Sequence, residues 1–203
     1  AEEAAVVITL ASKFSGTYQS AVIAAADYEN IYIVDSSSAA MGAGILVELA
    51  FRLLDAGASA EEIVQVLEEE KKKIVIVTLV DTLEYLKRGG RISKAAAFAG
   101  GVLTIKPVLS VIDGEIHLLG KARGSKMGNN LLIQEIDKAG GIDFSKPLLL
   151  GYSGISDALL LKYIEDSRLL WEDHLQKVRY ATVGSVIGTH LGPGAVVVAF
   201  FKK

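Results

Sequence analysis

Over its first eighty residues the chain alternates short β-branched runs, "AAVVITLA", "IYIVD" and "IVIVTLV", with longer stretches of helical character at 17–28, 39–56 and 60–72. Strands separated by helix-length crossovers are the signature of parallel βαβ units, and this constrains the fold more than any other feature. Local punctuation agrees with it. Gly57 stands where a glycine ends a helix in the left-handed conformation, and "SAEE" (59–62) is a capping box opening the next helix. The run "EEEKKK" (68–73) reads as a solvated helix end with its cations at the negative pole of the dipole.

After Val80 the pattern changes. "DTLEYLKRGGRIS" reads as a short helix stopped by Gly89 and Gly90, and "LTIKPVLSVIDGEIHLLGKAR" as a hairpin turning at Asp113 and Gly114. Next come a helix to Ala139, the strand "PLLLGYS", a helix over 157–175, the strand "VRYATVGSVIG", the loop "THLGPG" and the strand "AVVVAFF". This half predicts a mixed sheet with antiparallel pairs and helices packed on it. The fold class is therefore α/β in two lobes: a parallel βαβ lobe over 1–73 and a mixed-sheet lobe over 74–203.

Composition removes several classes of function. With 203 residues, half of them apolar, and a net charge of −3 spread along the chain, there is ample core and no overall attraction to nucleic acid. The absence of cysteine excludes disulfides and thiolate metal sites, and three scattered histidines argue against a metal centre. No apolar run reaches the ~20 residues of a membrane helix, which predicts no stable membrane insertion and a cytosolic protein.

Few motifs carry chemistry alone. "SKFSGTYQSA" joins an apolar strand to a helix, so Ser15 or Thr17 either caps the helix or, with its first backbone N–H groups, receives an anion. "MGAGILV" lacks the third glycine of a dinucleotide fingerprint and reads as close helix packing; "GYSGIS" places Ile155 where a nucleophile elbow needs glycine; no P-loop occurs. His117 and His174 read as surface residues. His190 lies in a glycine-flanked loop between two apolar strands, where a ligand can approach closely. Lys87, Arg88 and Arg91, and Lys121, Arg123 and Lys126, form two basic groups beside glycine, which read either as solvated turns or as surfaces suited to phosphate or a partner's carboxylates.

Taken in order, "SGTYQSA", "DSSSAAMGAG", "DTLEYLKRGGRIS", "IKPVLSVIDGEI" with "KAR", and "IGTHLGPGAV" resemble the DegV family of bacterial fatty-acid-binding proteins over nearly the whole chain. The resemblance implies a two-lobed α/β protein that encloses one long-chain fatty acid, palmitate- or oleate-like, between its lobes. It implies no other cofactor and no catalysis by the chain alone: an ATP-binding fatty acid kinase subunit would phosphorylate the presented carboxylate. Ser15 and His190, with Thr17 beside them, are the implied carboxylate ligands. Arg91 and Arg123 are implied to lie outside the acyl pocket, linked to the kinase partner and the phosphoryl step. Members begin several tens of residues earlier, with a strand and a hydroxyl-rich stretch that helps hold the carboxylate, so the first lobe is expected to be partial here.

Two rival readings use the same residues. Ser15, His190 and Asp35 are the types that form a hydrolase triad, and the glycines with the βαβ pattern would suit a nucleotide-binding regulatory domain.

Overall fold

In the computed structural model, which describes residues 3–92 and 105–203, the first apolar run becomes β1 (Ala5–Thr9) and pairs in parallel with β2 (Ile31–Asp35), Ala5 opposite Ile31 and Thr9 opposite Asp35. Between them α1 (Thr17–Ala24) ends four residues earlier than its apolar pattern suggests and buries no side chain. α2 (Met41–Asp55) closes in a Schellman motif, with Ala58 N–H donating to Leu53 O (3.1 Å) and Gly57 N–H to Leu54 O (2.9 Å), and Gly57 adopts φ +90°. The capping box of α3 (Ala60–Glu70) forms in both directions: Glu62 N–H donates to Ser59 Oγ (3.3 Å), and Ser59 N–H donates to Glu62 Oε2 (2.8 Å).

The charged run after α3 is not uniformly solvated. Lys71 donates to the Asp35 carbonyl (2.9 Å), and Glu70 accepts from Lys73 (2.8 Å) and pairs with Lys146, so Lys71 and Glu70 tie the end of α3 inward.

Among the described residues the remaining strands form one sheet in the order β5, β4, β3, β8, β6, β7: β3 (Ile74–Leu79), β4 (Ile105–Ile112), β5 (Glu115–Arg123), β6 (Leu148–Tyr152), β7 (Tyr180–Thr182) and β8 (Val196–Phe201). All neighbours are antiparallel except β6 and β7. The hairpin of β4 and β5 turns at Asp113 (φ 50°) and Gly114 (φ 70°), the two left-handed residues of a type I′ turn. Leu103 and Thr104, expected to open this hairpin, and Ser93 of the "GGRIS" turn lie outside the described residues. α4 (Glu84–Arg88) follows β3, and α5 (Gly124–Lys138) follows β5.

Two expectations fail in the last third. The helix expected over 157–175 is broken into α6 (Ala158–Asp166), α7 (Arg168–Trp171) and a 3₁₀ segment, Glu172–Lys177. Ser167 sits at the break: its hydroxyl donates to Tyr163 O (2.5 Å) and accepts from Trp171 Nε1 (2.7 Å), competing with the helical ladder. The strand expected over 178–188 stops at Thr182, and Ser185–Leu191 forms α8. Val186, Ile187, His190 and Leu191 recur at helical spacing, which a run rich in β-branched residues hides.

One core cluster joins both sheets: Val34 of β2, Ile45 of α2, Ile63 of α3, Ile76 of β3 and Val197 and Phe201 of β8 pack together. Among the described residues no helix is long and apolar enough to cross a membrane.

Candidate functional site

A cavity of about 260 Å³ lies on one face of the larger sheet. Ile76 and Thr78 of β3, Val111 of β4, Ile116 of β5 and Val197 of β8 form its floor. Leu10 and Phe14 of the turn before α1, Ala39 and Ala40 before α2, Leu86 of α4, and Val186, Ile187 and Leu191 of α8 form its walls. Against this apolar lining stand four polar side chains besides Thr78: Ser15, Thr17, Arg91 and His190.

A continuous set of contacts gathers those four. Ser15 Oγ is 2.8 Å from Thr17 Oγ1 and accepts from Thr17 N–H (3.3 Å). The helix N-cap is Gly16, without a side-chain cap, so the capping role weighed for Ser15 and Thr17 reduces to this local turn. Arg91 Nε donates to Phe14 O, next to Ser15 (3.4 Å), and Arg91 Nη1 donates to Gly89 O (2.9 Å). Gly89 in turn lies against the imidazole: a Cβ there would fall 1.9 Å from His190 Nδ1.

His190 is in the last turn of α8, not in a loop as its flanking glycines suggested. The segment after α8 fixes its position. Gly192 (φ 75°) meets the ring of Tyr85, and a Cβ at Gly192 would come within 2.2 Å of it. Ser153, buried in "GYSGIS", donates to Gly192 O and accepts from Ala195 N–H (3.0 Å). In the sequence Ser153 carries no site signal, because the nucleophile-elbow glycine is missing; the near-motif marks a latch for the His190 segment instead.

Arg91 stands on the cavity wall, whereas the resemblance implied a place outside it; its turn folds back, with Arg91 N–H donating to Leu86 O (3.2 Å), and carries the guanidinium to Phe14. Arg123 is exposed at the junction of β5 and α5 and does not line the cavity. His174 is half-buried, its ring stacked on Phe144 with centroids 4.0 Å apart, where a surface residue was expected.

Neither rival reading gains a geometry. The Asp35 carboxylate accepts from Ser12 N–H (3.3 Å) and Ser37 N–H (2.8 Å), and among the described residues no hydrogen bond links Ser15, His190 and Asp35 into a relay. The space above Gly42 is filled by Ser38 Oγ and Ile76, and that beside Gly44 by Leu149, where a phosphate-binding glycine turn would need to be open.

The arrangement is thus an apolar chamber with hydroxyls, an imidazole and one guanidinium gathered together, which suits a long apolar molecule with one anionic end. A family model described as "Uncharacterised protein, DegV family" matches residues 1–203. The chain belongs to the DegV family. A DegV domain-containing protein of Caldanaerobacter subterraneus is 38% identical over 202 residues, covering 98% of this chain and 70% of that protein. A fatty acid-binding protein of Thermotoga maritima is 32% identical over 193 residues, covering 94% of this chain and 66% of its own length. The solved DegV family protein of Thermus thermophilus, described for its fatty acid binding, superposes with a TM-score of 0.85 at 29% identity over 98% of this chain and 71% of its own. The Fatty Acid Kinase (Fak) B3 protein of Streptococcus pneumoniae, solved with linoleic acid, shares the DegV fold with a TM-score of 0.83 at 24% identity over 98% of this chain and 71% of its own.

Proposed function

We propose that this DegV chain binds one long-chain fatty acid, palmitate- or oleate-like, between its lobes and presents the carboxylate to a separate ATP-dependent kinase subunit for acyl phosphate formation. The observation that carries the reading is the chamber itself: apart from Thr78 in its floor, its lining is apolar except where Ser15, Thr17, Arg91 and His190 converge. Ser15, Thr17 and His190 hold the carboxylate. A carboxylate leaving water needs several donors, and the hydroxyls of Ser15 and Thr17, N–H groups of the helix start and an imidazole N–H supply them. The tail supplies the affinity: about fourteen methylenes at ~0.8 kcal/mol each give a gross gain of order 11 kcal/mol before ordering is subtracted.

The chain does not phosphorylate the acid alone. Phosphorylating a carboxylate brings two anions together, and fixed guanidinium groups offset that repulsion. Arg91 beside Ser15 acts at the reacting end, and Arg123, exposed at the start of α5, meets the kinase subunit. Support comes from the resemblance and from the fatty-acid-binding relatives, all of which are matched over most of this chain.

The test is a titration of the chain with palmitate and oleate. The reading predicts saturable binding that Ser15→Ala and His190→Ala each weaken about 5- to 150-fold, the loss of ~1 to 3 kcal/mol expected when a buried carboxylate loses one donor. Equal binding by both variants would remove these residues from the carboxylate site.

A further inference from the structure

Behind one part of the cavity wall lies a second space with a different lining. Ile76 and Val111 line the cavity, and the same two side chains line a cleft of about 430 Å³ on their far side. The backbone continues this partition: Ala39 and Ala40 face the cavity, while Ser37 and Ser38 face the cleft.

The cleft exists because two adjacent strands part. β3 and β4 pair only where Val77, Thr78 and Leu79 oppose Ser110, Leu109 and Val108, although β3 starts at Ile74 and β4 stays paired with β5 to Ile112. The register of β4 against β5 slips between Val108 and Leu109, where Leu119 of β5 is the extra residue of a bulge and lines the cleft. The cleft between the diverging strands is floored by apolar side chains such as Ile74, Val75 and Leu119 and rimmed by Lys71, Lys138 and Lys202.

Ile76 stands away from the head-group end. Thr78, two residues nearer to α4 and Arg91, lines the cavity on the same face of β3, which places Ile76 roughly 7 Å further along the strand. The Ile76 side chain is fixed there, because its Cδ1 fills the space above Gly42, 2.4 Å from where a Cβ would sit. Ile76 is buried, and Val111 packs in the same cluster.

We propose that Ile76 and Val111 are the end-stop of the acyl chamber and set the longest acyl chain that the protein accepts, an inference that rests on the fatty-acid reading. An acyl tail entering from Ser15 and His190 meets the two branched side chains and stops, and a longer tail must bend back or leave methyl groups in water. Shortening either side chain opens the chamber into the cleft, whose apolar floor and lysine stems continue the path.

The experiment measures the affinities of saturated acids from myristate to arachidate for the chain and for Val111→Ala, Ile76→Ala and Val111→Phe, with circular dichroism as the check of folding. Each methylene newly buried is worth roughly four-fold in affinity, so two more raise the preference for arachidate over myristate by about ten-fold or more in the alanine variants. Val111→Phe shifts the preference towards the shorter acids. Because Val111 is only half-buried, its two variants keep the test available if Ile76→Ala does not fold. Unchanged length preference in folded variants that bind as tightly as the parent overturns the end-stop and leaves the fatty-acid reading intact. No binding of any acid by the parent chain overturns both.

Discussion

At the scale of single residues, the site depends on one missing methyl group. Gly89 has an ordinary helical φ of −73°, so alanine fits the backbone, yet its Cβ would fall 1.9 Å from His190 Nδ1. Gly89→Ala is therefore expected to displace the imidazole rather than unfold α4: fatty acid affinity falls about ten-fold, on the scale of one lost donor, while the melting temperature changes by only a few degrees. Calorimetric titration and thermal unfolding of one preparation check both halves. His190 and Ser15 stand out in glycine-flanked motifs, but local chemistry leaves Ser15 open as a helix cap, and a carboxylate role for the two is implied only by the resemblance. Arg91 is legible as a basic turn but not as part of the cavity wall, since nothing local reveals that the turn folds back onto Phe14. Tyr85 and Ser153, which hold the segment after α8, are not legible in that role because their partners are backbone groups and glycines far away in sequence.

At the scale of elements, punctuation is more legible than periodicity. The capping box of α3, the glycine end of α2 and the Asp113–Gly114 turn are local chemistry, and each forms as the residues dictate. The sequence of α8 suggests strand because Val186 and Ile187 favour either state in a short run, and packing of Ile187 and Leu191 against the shared core decides for helix. The end of α3 makes a separate prediction. Desolvation pulls the Glu70 carboxyl upward, but hydrogen bonds from Lys146 and Lys73 outweigh it and hold the group below its ordinary value of 4.5. A carboxyl so held binds its proton less readily folded than unfolded, so the stabilisation is in place above about pH 4.5 and is lost as pH falls through the folded value. Asp143, held down by Ser145, acts in the same direction. Denaturant unfolding between pH 7 and pH 3 should show stability declining below about pH 4.5, and Glu70→Gln should flatten that decline. An unchanged slope in the variant would mean that the Lys146 pair contributes nothing.

At the scale of the whole molecule, the alternation of strands and helices indicates two sheets, but not that one core joins them. An amphipathic helix announces that it has a buried face, not which sheet will cover it; α2 packs on β1 and on β3, β6 and β8. That shared packing is what leaves a chamber between the strand-to-helix turns of the first half and the sheet of the second. Arg123 tests the division between holding the ligand and handing it on. Arg123→Ala should leave fatty acid affinity nearly unchanged and lower the rate of acyl phosphate formation with a cognate kinase subunit by about ten-fold, as expected for one lost charge-assisted contact; loss of both in proportion would place Arg123 in the ligand site or the fold. The most direct measurement is mass spectrometry of the purified protein, native for stoichiometry and denaturing for the identity of the molecule it releases. Fatty-acid binding predicts close to one saturated or monounsaturated long-chain acid per chain, lost or reduced in the His190→Ala protein. Lipid-free protein that also takes up neither added palmitate nor oleate would contradict it.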